Sequence, residues 1–151
     1  MPYSDTFCKA LTFTLKWEGG YVNNCHDKGG PTNYGITQQV YDDYRNKNHK
    51  DNIPVKMIHM DEVKNIYFAE YWTKAGCYSM PIKLAIAVFD FAVNSGVSRA
   101  LRYLEQSTNQ LETYLQAREQ YFRTIGKGSN SIFLKGWLNR LKGLRNYLGT
   151  I

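Results

Sequence analysis

Cysteine and histidine are scarce in this chain and poorly spaced for structural chemistry. Cys8, Cys25 and Cys77 are odd in number and form no CxxC pair, which argues against a disulfide framework and a four-cysteine zinc site. Synthesis in a reducing compartment fits, with one pair left able to oxidise later. His26, His49 and His59 build no HExxH run, so metal chemistry of that type is not expected and no cofactor is implied. Long apolar runs are missing too. The stretch from Phe7 to Trp17 is cut by Lys9 and Lys16, and the run Leu84 to Val93 carries Asp90. Neither suits a signal-peptide core or the roughly 20 residues a bilayer needs. The expectation is a soluble protein made in the cytoplasm, not inserted in a membrane. If its substrate lies outside, another component must export it. No internal repeat, linker or long single-sign charge run interrupts the 151 residues.

What is present is ordinary globular material, 43% hydrophobic and 21% charged, enough for one domain over residues 1–151 with a single core. Charge is uneven within a formal +6: from Leu101 onward eight Lys/Arg stand against three Glu. A basic C-terminal surface attracts polyanions, whether wall polymers or nucleic acid, or serves only as a solvated helix face.

Ser4 or Asp5 can cap a first helix that ends at Gly19-Gly20. Residues 21–36 are rich in Asn, Asp, Gly, Pro and Thr, the composition of a turn-rich loop or short hairpin. Thr37 can cap a helix to about Asn46, and Asp61 another to Ala75. Pro81 suits the first turn of an apolar helix ending near Asn94. Helices over Ser98–Gln106 and Gln110–Ile125 follow, and an amphipathic one closes the chain with Trp137, Leu141, Leu144 and Leu148 on its apolar face. The fold class is all-α or mainly α. Its helices pack around the Leu84–Val93 segment, with a small loop or hairpin lobe in residues 1–80 bearing the site.

Glu18 lies at a helix C-terminus between Trp17 and Gly19-Gly20. The negative end of the helix and nearby aromatic surface both disfavour ionisation, and a carboxyl kept protonated is what glycosidic cleavage needs as general acid. The glycines leave room for a bulky substrate beside it. The competing reading is a solvated helix-end glutamate with a glycine cap. Asp27, nine residues on, is either a second carboxylate for water or oxocarbenium charge or an Asx-turn residue before Gly29-Gly30. Thr32, Asn33 and Tyr34 offer hydroxyl and amide groups for sugars, or are turn residues.

Taken together, Trp17-Glu18-Gly19-Gly20-Tyr21-Val22-Asn23, Asp27, Gly29-Gly30 and Thr32-Asn33-Tyr34-Gly35-Ile36-Thr37 closely resemble the signature of glycoside hydrolase family 108, which contains peptidoglycan N-acetylmuramidases, often phage endolysins. Further matches are Tyr71-Trp72, the run Val88-Phe89-Asp90-Phe91-Ala92-Val93-Asn94-Ser95-Gly96, and Phe133 to Arg140. The resemblance implies a helical lysozyme-like fold with Glu18 as catalytic acid. The spacing to Asp27 also looks like the acid-to-aspartate spacing of phage-type lysozymes. Tyr34, Tyr71 and Trp72 offer rings on which sugars stack, and Asn94 can reach a cleft floor or cap its helix. Three departures stand out: Asn24 where the family favours aspartate, Lys28 where it favours proline, and a direct passage from Gln106 through Ser107-Thr108-Asn109 where relatives carry a longer segment predicted to bind peptidoglycan.

The expectation is a monomeric enzyme cutting between N-acetylmuramic acid and N-acetylglucosamine in peptidoglycan glycan strands. Its alternatives are a lytic transglycosylase, which needs no second carboxylate, and a non-catalytic wall-binding protein. A basic helical nucleic-acid binder is also distinguishable, since it requires salt-dependent DNA binding and no Glu18; nucleic acid is not the expected partner.

Overall fold

A computed structural model describes residues 3–23 and 29–151. Helix α1 (Asp5–Glu18) starts where Ser4 Oγ accepts the Phe7 N–H at 3.2 Å. Strands β1 (Thr32–Asn33) and β2 (Ile36–Thr37) pair antiparallel as Thr32 with Thr37 and Asn33 with Ile36. The turn between them, Tyr34-Gly35, has φ of 52° and 77°, the two positive values that a tight two-residue hairpin demands. Val22 bridges Thr32 by two 2.8 Å backbone bonds, tying the end of α1 to this hairpin. Of the stretch 21–36 expected as a loop or hairpin, residues 32–36 belong to a hairpin that closes at Thr37, and residues 24–28 lie outside the described residues.

Thr37 Oγ1 accepts the Val40 N–H at 3.2 Å and opens α2 (Gln38–Lys47). A 3₁₀ turn at Val55–Met57 leads to α3 (Met60–Tyr67). Here the sequence reading needs two corrections. Helix α3 begins after His59, whose backbone N–H donates to Glu62 Oε1 at 3.3 Å, so Asp61 sits within the first turn. The helix does not continue regularly to Ala75, because Phe68–Thr73 winds as a π-helical turn. Helices α4 (Ile82–Ser95), α5 (Val97–Gln106), α6 (Leu111–Ile125) and α7 (Ser131–Gly149) complete the chain.

Helix α4 is the axis. Its residues from Leu84 to Ala92 are all buried, as a helix packed on several sides requires, and it touches α1, α5 and α6. Phe89 meets Phe7, Tyr67 and Trp72, while Phe91 meets Tyr103, Tyr114, Tyr121 and Phe122. Each such ring removed from water stabilises the fold by about 1.5–3 kcal/mol. Among the described residues Cys8 is exposed and Cys77 buried, both free, and burial pushes the Cys77 thiol up to about 12. Among the described residues no helix is long and apolar enough to cross a membrane.

Candidate active site

Glu18 is the last residue of α1, and its side chain is 21% exposed. Gly19 turns the chain with φ 75°, and among the described residues a Cβ at Gly19 or Gly20 would meet nothing within 4 Å, so these residues leave space beside the carboxyl. Trp17 turns elsewhere: its ring lies over α7, where a Cβ at Gly143 would fall 2.9 Å from the indole.

A cation, rather than apolar surface alone, meets the carboxylate. Arg140, from α7, donates from Nη1 to Glu18 Oε1 at 2.7 Å. The same guanidinium donates from Nη2 to Asp90 Oδ1 at 2.8 Å and from Nε to Asp90 Oδ2 at 3.2 Å. Asp90, wholly buried on α4, also accepts the Thr14 hydroxyl at 2.8 Å and faces Arg118 Nη2 at 2.8 Å. Arg118 is itself fully buried, its guanidinium 5.0 Å from the Phe91 ring centroid and 5.2 Å from that of Phe122. Burial alone would raise the Asp90 pKa, but Arg118, Arg140 and the bonds from Arg140 and Thr14 outweigh it and hold the carboxyl below its ordinary range. A charge fixed in the core thus orients a guanidinium, which orients Glu18. Sequence reasoning missed this chain of contacts. Its signal was a lone aspartate in the apolar run of α4 and an arginine on a helix otherwise burying leucines.

The second wall is the hairpin tip. Tyr67 donates its hydroxyl to the Tyr34 carbonyl at 2.6 Å, pinning the tip to α3. A Cβ at Gly35 would stand 2.6 Å from that hydroxyl and 2.9 Å from Glu18 Oε2. Oε2, the oxygen that Arg140 leaves unclaimed, therefore lies against the hairpin backbone, which approaches closely because residue 35 is glycine. Tyr71 packs on Tyr67 with ring centroids 5.4 Å apart and planes tilted by 34°. Both phenols are pushed above their usual range, first by burial and then by the Glu18 carboxylate.

The remaining residues named from sequence scatter. Tyr34 sits in the hairpin turn and Tyr71 is half-buried beside the Glu18 site. Trp72 is in the core, 2% exposed and packed on Phe7 and Phe89. Consecutive residues of a helical turn point in different directions, so Tyr71 and Trp72 do not share a face. Asn33 is buried, and its amide donates to the Val55 and Lys56 carbonyls at 3.2 and 3.4 Å; its work is to hold the following loop. Thr32 bonds the Gly30 carbonyl at 3.3 Å, and Asn94 accepts the Ser95 hydroxyl at 2.6 Å. Asp27, with Asn24, Cys25, His26 and Lys28, lies outside the described residues. The C-terminal charge also shrinks at the surface. Arg118 and Arg140 are buried, leaving six of the eight cations outside the core against three glutamates.

Among the described residues no cluster of His, Cys, Asp and Glu could hold a metal ion. No curated protein matches the chain. The solved structure of SagA from Brucella abortus is similar, with a TM-score of 0.78 and 26% identity over 96% of this chain and 94% of that one. Residues 11–96, which hold Glu18, the hairpin, Tyr67, Tyr71 and Asp90, match the family model Glycosyl hydrolase 108. The chain belongs to glycosyl hydrolase family 108, a family of peptidoglycan-degrading glycosidases.

Proposed function

We propose that this protein is an N-acetylmuramidase that hydrolyses the bond between N-acetylmuramic acid and N-acetylglucosamine, with Glu18 as general acid. The observation that carries this reading is the fixed carboxyl: Oε1 is held by Arg140 at 2.7 Å while Oε2 lies at the hairpin tip, beside the open space at Gly19-Gly20. Oε2 protonates the leaving glycosidic oxygen, and the carboxylate left behind is stabilised by the charge-assisted bond from Arg140. Asp27 assists water or the developing oxocarbenium charge. Tyr34 and Tyr71 flank the sugar rings, while Asn33 and Trp72 support the two walls from behind. The enzyme works as a monomer on glycan strands and reaches the wall with the help of another component.

Mass spectrometry of fragments released from purified peptidoglycan tests the reaction. Hydrolysis yields muropeptides with reducing-end muramic acid. Anhydromuramic ends would instead mean a lytic transglycosylase, a reaction favoured if Glu18 acts without a second carboxylate. Reducing-end N-acetylglucosamine would contradict the assigned bond. Binding without any released fragment would leave a wall-binding protein in its place.

A further inference from the structure

A cavity of about 670 Å³ lies beside the Glu18 site, between α2 and the α3–π-turn segment, with Val97 of α5 closing it. Its volume falls within the usual range for a small-ligand site. Tyr71 connects the two places, for it lines this cavity and its ring packs at 5.4 Å on that of Tyr67, whose hydroxyl lies with Glu18 Oε2 against Gly35. The π-helical turn Phe68–Thr73 supplies Ala69, Glu70 and Tyr71 to the wall, and such turns concentrate at functional sites.

The lining combines aliphatic side chains such as Val40 and Ile66 with the Tyr44 and Tyr71 rings, two asparagine amides and charges of both signs. Asp43 and Lys47 stand one turn apart on α2, and Glu70 and Lys74 line the same cavity. Glu70 and Lys74 pair with each other. The Lys47 ammonium makes no hydrogen bond or ion pair among the described residues, and there the Asp43 carboxylate accepts only the Gln39 amide, at 2.9 Å. A neutral glycan, though able to hydrogen-bond to these groups, offers no charge to pair with Lys47 or Asp43. The peptide stem on the muramic acid lactyl group does, since it carries free carboxylates, the ammonium of a diamino acid and short aliphatic side chains.

Building on the muramidase reading, we propose that this cavity is the subsite for the peptide stem, with Lys47 taking a stem carboxylate and Asp43 the diamino-acid ammonium. The enzyme then recognises substituted muramic acid and not merely the sugar backbone.

Two measurements test this. The stem tripeptide L-Ala-D-Glu-meso-diaminopimelate, which contains no glycosidic bond, is titrated into the protein by NMR. Shifts at Ala69, Glu70 and Lys47 are expected, and they should vanish in Lys47→Glu; no shift at the cavity would overturn the proposal. In parallel, initial rates are compared on glycan strands with stems intact and on strands stripped by an amidase. Wild type should favour stem-bearing strands by about tenfold in kcat/KM, through KM, and Lys47→Glu should bring the ratio near one. The filling variant Ala69→Trp should do the same without altering charge. An equal ratio in wild type, or one untouched by both variants, would overturn the proposal. Failure of wild type to cut either strand would count against the muramidase reading, and the titration would still decide the cavity.

Discussion

Asp90→Asn is expected to lower the stability of the fold by about 3–5 kcal/mol, the usual cost of leaving a buried charge without its partner. The substitution keeps shape but removes the anion that Arg118 and Arg140 share. Arg118 suffers most: it is fully buried, its Nε and Nη1 have no hydrogen-bond partner among the described residues, and its Nη2 faces Asp90 as an ion pair. Arg140 keeps Glu18 but loses the buried carboxylate that fixes its plane, so activity should fall along with stability. The pH dependence carries the sign of a depressed carboxyl. Because the folded-state pKa of Asp90 lies below its unfolded value, its contribution is fully present above about pH 4 and is lost as pH falls through the folded value. Urea unfolding of wild type and variant across the acid range should therefore give curves that converge at low pH. A constant gap down to the lowest pH, or a gap under about 1 kcal/mol at neutrality, would remove Asp90 as the anchor.

The second large effect is expected from Gly35→Ala, here on rate more than on stability. At φ 77° a side chain costs about 1–2 kcal/mol. The added methyl would also stand 2.6 Å from the Tyr67 hydroxyl, 2.9 Å from Glu18 Oε2 and 3.1 Å from Glu18 Cβ. Neither neighbour is free to swing aside, since Tyr67 is bound to the Tyr34 carbonyl at 2.6 Å and Glu18 to Arg140 at 2.7 Å. The hairpin tip or the acid must shift, and a displacement of about 1 Å at a reacting group can cost about a hundredfold in rate. Turnover of peptidoglycan should drop by that order while the protein still unfolds cooperatively. A variant that folds and turns over at the wild-type rate would show that the Glu18–hairpin contact does not set the chemistry.

These two predictions rest on features that the sequence conveyed unequally. Local signals were easy to follow: Ser4 and Thr37 cap the helices that they precede, and the apolar run of α4 forms the axis. Glu18 was legible because its helix, its glycines and its family signature occupy one short stretch. Contacts that cross the chain were not. Arg140 reaches Glu18 over 122 positions and Asp90 over 50, and no periodicity encodes such a meeting. The π-helical turn also left no local trace, so a regular helix to Ala75 was expected. Trp72 and Asn33 were misplaced for a common reason. Residue type says what a side chain can bind, whereas burial among Phe7 and Phe89, or beneath the Val55 carbonyl, decides what it does bind. The basic C-terminal half was overcounted in the same way, because two of its arginines are internal counter-ions.

The most direct measurement compares wild type with Glu18→Gln for fragment release from peptidoglycan, with thermal unfolding followed on the same samples. The amide keeps the shape of the side chain, and Arg140 retains Asp90 to hold it in place, so the variant should unfold cooperatively at a temperature close to that of wild type. Without a proton to give, its release of muropeptides should fall about a thousandfold, within the range for loss of a general acid. Wild-type release by a folded Glu18→Gln protein would contradict the assignment of Glu18 as the acid.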